Sequence, residues 1–215
     1  MGTSWLLLLL AVLLFACPGH APVFPAVAAA NETAPQEGEV CSYRQVTYPS
    51  VSAARAANDS IMHCGPCGRC SNPIDASVYR RQSKSLTQTT KRCAILLTVF
   101  GRAAGSYCVR QRTDFSPSCV DCWLDDMVCA RKYCLLTCLT ARPVERQTPG
   151  ENLCIKCDEV ICGPDFKKCS GANRRRLGVK SDIDRNSQEF CNVVDPPPVE
   201  FAQFFEPLQT SKTSA

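Results

Sequence analysis

The chain has 215 residues, 24 Lys or Arg against 20 Asp or Glu, a formal net charge of +4 and 17 cysteines. A cysteine content this high is rare in a reducing cytosol, and neither the oxidising compartment it implies nor the lack of aromatic residues interleaved with the basic ones points to nucleic acid. The length suits one domain, or two small ones.

The first four residues carry no charge, Leu6 to Phe15 are apolar, and small residues follow from Ala16 to Ala30. This pattern predicts a secretory signal peptide over residues 1–30, cleaved between 21 and 30. Its apolar stretch is short for a membrane span. Leu14-Phe15-Ala16-Cys17 faintly resembles a bacterial lipidation site, but the leader lacks the Lys or Arg expected ahead of one. Since the leader is uncharged, the net charge of +4 belongs to the mature chain.

Cleavage beyond Cys17 takes one cysteine from 17 and leaves 16: Cys41, Cys64, Cys67, Cys70, Cys93, Cys108, Cys119, Cys122, Cys129, Cys134, Cys138, Cys154, Cys157, Cys162, Cys169 and Cys191. An even number behind a leader implies a disulfide framework, and so a secreted protein or one in the secretory lumen. Asn31-Glu32-Thr33 and Asn58-Asp59-Ser60 are N-glycosylation sequons; Asn58, in polar surroundings, is the better acceptor. No second apolar run reaches membrane-spanning length, so no transmembrane segment is expected. The terminal "QTSKTSA" lacks the apolar tail of a lipid-anchor signal.

Residues 31–62 read as an N-terminal extension, polar at its start, with no strand of β-branched residues leading into Cys64. Then comes "HCGPCGRCSN", residues 63–72. Cys64-Gly65-Pro66-Cys67 matches the active-site run of thioredoxin-like oxidoreductases, which need a reactive thiolate at a helix N-terminus. Here Gly65, Pro66 and Gly68 oppose a helix starting at the motif, although Arg69 could favour a thiolate. An iron–sulfur run would need a fourth cysteine where Ile74 stands. Zinc would have to join Cys119 and Cys122 to Cys154 and Cys157, across a gap longer than usual ribbon spacings. The expectation is therefore a scaffold with no metal or other cofactor. Cys64, Cys67 and Cys70 each reach a different partner, and the glycines permit close turns.

Residues 63–191 form the expected cysteine-rich helical domain, in sub-modules 63–141 and 152–191. Ser71 or Asn72 can cap a helix whose first turn holds Pro73 and Asp75. Tyr79, Leu86, Cys93, Leu97 and Phe100 continue one apolar stripe as far as Gly101, widened by Val78 and Leu96. The threonine-rich "LTQTT" is a poor helix former and a candidate break. From Arg80 to Arg112 there are eight Lys or Arg and no Asp or Glu. Such a face is ordinarily just solvated, and its functional use would be an anionic glycan or surface.

A second helix is expected from about Ser118 to Thr140. Cys119, Cys122 and Cys129 share one face and Cys134 and Cys138 another, while Trp123 and Met127 add apolar surface. It should pack against the basic-faced helix, bridged to it through Cys93 or Cys108. The turn-rich "RPVERQTPGE", residues 142–151, is a linker. A compact module with Cys154, Cys157, Cys162 and Cys169 follows it. Arg174, Arg175 and Arg176 have three readings: an exposed basic turn, a protease processing site, or arginines that pair with Asp182, Asp184 or an outside anion. The last, structural or anion-binding, is favoured. A further helix is expected from near Ser181 to before Cys191. The tail, residues 192–215, opens on Pro196 to Pro198 in extended form, and Phe201, Phe204 and Phe205 could dock on the body.

"CGPCGRCSNPIDASVY", "SLTQTTKRCA", "CVDCWLDDMVC" and "KCSGANRRRLGVKSDIDR" together resemble a family of secreted cysteine-rich proteins of unicellular eukaryotes, including algae, over roughly residues 63–191. The resemblance implies one inherited unit and brings no activity, cofactor or partner with it.

Catalysis is poorly supplied. His63 is the only histidine beyond the leader, and there is no Gly-x-Ser-x-Gly, His-Glu-x-x-His or phosphate loop. Asp125 and Asp126 are adjacent, as are Asp158 and Glu159, so each pair diverges on a helix, although separated carboxylates could still serve a glycosidase. The chain is thus expected to be mainly α, a small helix-rich, disulfide-stapled domain with long irregular loops. It reads as a structural or binding protein with an extracellular partner and no nucleic acid. A carrier of lipid or other apolar molecules is the first alternative, and a thiol–disulfide oxidoreductase using Cys64 and Cys67 the second.

Overall fold

The computed structural model describes residues 38–140, 152–183 and 190–205. The expected leader, Asn31, the whole 142–151 linker, most of the helix anticipated after Ser181 and the end of the tail lie outside the described residues. Within them the protein is mainly α, built of nine helices and one small sheet.

The sheet is the largest departure from expectation. β1 (Val40–Ser42) lies between β2 (Thr47–Tyr48) and β3 (Ile61–Cys64), both antiparallel to it, with a bulge at Cys41/Ser42. A strand thus does run straight into Cys64. Its four residues, Ile61, Met62, His63 and Cys64, are all buried, so it lacks the polar alternation that would betray a half-exposed strand. Backbone from the far end of the chain covers it: Ile61 O accepts from Asp195 N, and Cys64 N donates to Arg176 O. Asp195 also accepts from Ile61 N at 2.6 Å and takes a bidentate pair from Arg55 at 2.6 and 2.8 Å. Helix α1 (Val51–Ala56), capped by Ser50, closes a small core of Val40, Ala54 and Ile61. Residues 40–64 are therefore knitted into the body.

Helix α2 (Pro73–Arg81) starts where its residues predict: Asn72 Oδ1 accepts from Asp75 N, Pro73 sits in the first turn and Asp75 faces the positive helix end. The expected single helix then divides. A turn over residues 82–85 separates α2 from α3 (Leu86–Phe100). The threonine run itself is helical, because its hydroxyls find partners: Thr90 Oγ1 donates to Leu86 O, and Thr87 Oγ1 to Asp182. Tyr79, Leu86, Cys93 and Leu97 are buried as the stripe required, but Leu96 and Phe100 face solvent.

Gly101, at φ +87°, ends α3 and starts α4 (Arg102–Arg112). A Cβ on Gly105 would lie 2.8 Å from Leu97 Cβ, so the two helices touch there. Cys93 pairs with Cys108, pinning α3 to α4. This corrects the expected bridge from one of those cysteines to the next helix, α5 (Pro117–Tyr133). α5 packs against both, with Ser116 as its cap, and stops at Cys134, so α6 (Leu135–Thr140) is a separate helix. α7 (Leu153–Ile161) and α8 (Gly163–Ser170) form the second module, and α9 (Val199–Ala202) is a single turn in the tail. The main core gathers Tyr43, Met62, Val78, Tyr79, Leu86, Leu97, Phe115, Leu124 and Leu177. The tail docks on it: Phe201 stacks on Tyr43 at 6.0 Å, and Arg80 sits 5.6 Å over the Phe205 ring.

Candidate functional site

All 16 cysteines between residues 41 and 191 pair, in eight bridges. Cys67 joins Cys41, Cys64 joins Cys191 and Cys70 joins Cys119. A thioredoxin-like site needs its two cysteines to form a disulfide with each other. Cys64 and Cys67 are instead each bonded to a separate distant cysteine, so that alternative loses its chemistry. Cys119, Cys122, Cys154 and Cys157 likewise go to four separate partners, which dissolves the zinc grouping. Asp75 comes close to the sulfurs of Cys70 and Cys119, but these are bonded to each other. Its carboxylate accepts from Ser116 N and Oγ, both at 2.7 Å, and from Asn72 Nδ2 at 2.5 Å.

His63 lies under this knot with no exposed surface. Its Nδ1 is 2.9 Å from Cys64 O, and its Nε2 is 2.7 Å from Ser71 Oγ. Gly68 N donates to the same Ser71 oxygen at 2.8 Å. One arrangement satisfies all three contacts: neutral imidazole donates from Nδ1, Ser71 donates to Nε2, and Ser71 accepts from Gly68. Burial, reinforced by the nearby Arg176 charge, pushes the His63 pKa down to about 4. His63 is thus a neutral structural group. Gly68 and Gly171 meet backbone to backbone above it, and a Cβ on either would collide with the other.

Of the basic run, Arg174 donates to Ser83 O at 2.9 Å, Thr87 Oγ1 at 2.8 Å and Asp182 at 2.6 Å. Arg176 donates to Lys167 O and Gly171 O, and packs on Gly65. The carbonyl of Arg175 accepts from Gly178 N and Cys191 N. These contacts tie the 173–178 turn to α3, α8 and the knot. Asn58 is exposed, in a left-handed turn with φ +52° after α1.

The feature that sequence reasoning missed is a cleft of about 160 Å³ where α2, α3, α5, α7, α8 and the 173–183 segment meet. Its apolar side is Tyr79, Trp123, Ile155 and Phe166, with the Trp123 and Phe166 rings 4.6 Å apart. Asp126 from α5 and Asp158 from α7 both line it, beside Glu159, Lys167, Arg174 and Arg175. Burial, more than any neighbour, raises the pKa of both aspartates; Asp126 is raised further by Asp158, and Asp158 by Glu159. Among the described residues neither aspartate has an ion-pair partner. Among the described residues Asp158 Oδ1 is buried without a hydrogen-bond partner, and Trp123 Nε1 and Tyr79 Oη are buried with none beyond each other. Adjacent acids diverge on each helix as expected, yet one member of each pair converges with the other. The signal was present: Cys122, Asp126 and Cys129 fall on one stripe of α5, and Cys154, Asp158 and Cys162 on one stripe of α7. Cys129 bridges to Cys162, so the aspartates beside them turn inward together.

A family model described as a family of unknown function (DUF8771) matches residues 102–193. That is consistent with an uncharacterised family and assigns no activity. No curated protein and no solved structure matches the chain. The matched segment is not self-contained: Cys108, Cys119 and Cys191 bridge to Cys93, Cys70 and Cys64, all outside it.

Proposed function

We propose that this is a secreted, N-glycosylated, non-enzymatic binding protein that takes a small ligand bearing a protonated amine into the Asp126/Asp158 cleft. The observation that carries it is two buried carboxylates lining one cleft over an aromatic floor, neither with an ion-pair partner among the described residues. An ammonium between them would supply the missing charge, and Trp123 and Phe166 offer faces for cation–π contact. Asp158 Oδ1 would gain a donor, and Trp123 Nε1 and Tyr79 Oη could meet acceptors elsewhere on the ligand. Secretion is supported by the leader pattern, by eight disulfides, and by the absence among the described residues of any helix long and apolar enough to cross a membrane. Glycosylation at Asn58 fits its exposed turn, and Asn31 is the second acceptor. The charged lining disfavours lipid in this cleft. We keep Arg174 and Arg176 as structural rather than anion-binding or processing residues, given their internal acceptors. The basic segment 80–112 fits an anionic extracellular surface.

Calorimetry of the intact protein with a panel of primary amines, and of neutral sugars as controls, tests the ligand class. Amine binding should release protons, because a cation lowers both raised carboxyl pKa values. It should weaken at least about tenfold in Asp158→Asn. Sugar binding without amine binding, or no amine binding by the folded protein, overturns the assignment.

A further inference from the structure

We propose that the α3–α4 hairpin docks its Gly101 end into a lipid surface bearing anionic headgroups. This rests on the anionic extracellular partner assigned above to segment 80–112, and narrows it from any anionic surface to a membrane.

The two helices show the same gradient. Along the exposed face of α3 the chain presents Lys91 and Arg92, then Ile95 and Leu96, then Val99 and Phe100 at the tip. Those steps of three and four residues keep one face. On α4, running back from the tip, Ala103, Tyr107 and Arg110 share a face: small, aromatic, then cationic. Ile95 is 56% exposed, Val99 65%, Phe100 70% and Tyr107 68%. Large apolar side chains clustered on one exposed end are unusual for a surface that meets only water.

The dimensions suit an interface. Arg92 precedes Phe100 by eight residues, about 12 Å along a helix at 1.5 Å per residue. Surface-bound helices bury their apolar part about 5–10 Å into the headgroup and acyl boundary. With the tip at that depth, Tyr107 lies where aromatic side chains favour the interface, and Lys91, Arg92 and Arg110 reach headgroup phosphates. The charge is complementary as well, since residues 80–112 hold eight Lys or Arg and no acid. Near the Gly101 end, Asp121 and Asp125 on α5 face Arg102. Arg102 meets them at 3.9 and 2.7 Å and offsets one of their two charges.

The hairpin is rigid enough to act as a wedge. Cys93–Cys108 crosses it just behind the apolar end, and the Gly105–Leu97 contact locks the helices together. Inserting it requires no refolding.

The test uses the full secreted protein with its disulfides intact, cosedimented with phosphatidylcholine vesicles, with and without about 30% phosphatidylserine. Binding is expected to the phosphatidylserine vesicles, reduced by high salt, and negligible to phosphatidylcholine alone. Phe100→Asp, at an exposed position that does not support the fold, should weaken it at least about tenfold. Lys91→Glu with Arg92→Glu should weaken it about as much. Phe100→Trp should retain binding and gain a blue-shifted emission with vesicles. Three outcomes overturn the proposal: no vesicle binding; heparin binding that needs Lys91 and Arg92, ignores Phe100→Asp and occurs without vesicle binding; or, without vesicle binding, a concentration-dependent dimer broken by Phe100→Asp. The second keeps the anionic-partner reading and rejects only the membrane. Failure to bind either heparin or phosphatidylserine rejects both.

Discussion

Acid should destabilise this protein in a way that can be traced to one side chain. His63 is fully buried and its pKa is held down to about 4. In the unfolded chain the same imidazole titrates near pH 6.5. Between those values the unfolded state binds the proton and the folded state does not, so stability falls as pH falls. The two-state expression gives a loss of about 2 kcal/mol at pH 5 and about 3 kcal/mol at pH 4, relative to pH 8. The opposing carboxyl contributions from Asp126 and Asp158 make the total curve ambiguous. The informative quantity is therefore the difference between wild type and His63→Gln, which cannot take up the proton. Guanidinium denaturation under non-reducing conditions at pH 8, 5 and 4 would measure it. His63→Gln should be the less stable protein at pH 8, where the Cys64–His63–Ser71–Gly68 contacts are intact, and its deficit should shrink by about 3 kcal/mol by pH 4. A deficit independent of pH would mean that His63 is not buried neutral, and the knot as described would be wrong.

Three further outcomes follow from the packing. Asp126→Asn should stabilise the protein at neutral and higher pH by on the order of 1–2 kcal/mol, since a raised carboxyl pKa removes stability as pH climbs from about 4 through the raised value; equal melting temperatures at pH 8 would contradict it. Gly171→Ala puts a Cβ against Gly68 N and Ser71 Oγ at φ +66°, and should lower stability by at least about 2 kcal/mol in guanidinium titrations, whereas Gly38→Ala, with open space around it, should be nearly silent. Replacing Cys93 and Cys108 together by Ala opens a loop of 15 residues and should cost about 3 kcal/mol by chain entropy, with the α3–α4 amides exchanging faster; unchanged protection there would show that the helices stay together without the bridge.

Local signals read well and pairings did not. Asn72, Pro73 and Asp75 announce the start of α2 because capping is a contact within four residues. Gly101 announces the α3 boundary through a backbone angle that other residues avoid. Phe100 fits the periodic stripe yet points to solvent, since periodicity says which residues share a face and not how far a neighbouring helix covers it. The strand Ile61–Cys64 is hard to read because all four residues are buried, and its outer edge hydrogen-bonds to Asp195 and Arg176 from over a hundred residues away. The cleft is hidden in the sequence because Asp126 and Asp158 stand next to Asp125 and Glu159, from which they diverge on their own helices. Their shared stripes with Cys122, Cys129, Cys154 and Cys162 were the better guide, since an inward cysteine marks an inward face. Which cysteine meets which is decided by the path of the chain, and no spacing encodes that.

The central claim, that "CGPC" is an anchor of a scaffold and not a redox couple, is tested most directly by disulfide mapping of the secreted protein. Non-reducing peptide mass analysis should find Cys41–Cys67, Cys64–Cys191 and Cys70–Cys119 linked, with no thiol open to alkylation from Cys41 to Cys191. A peptide closed by Cys64–Cys67, or a thiol at either position that labels after mild reduction while the other bridges hold, would contradict it.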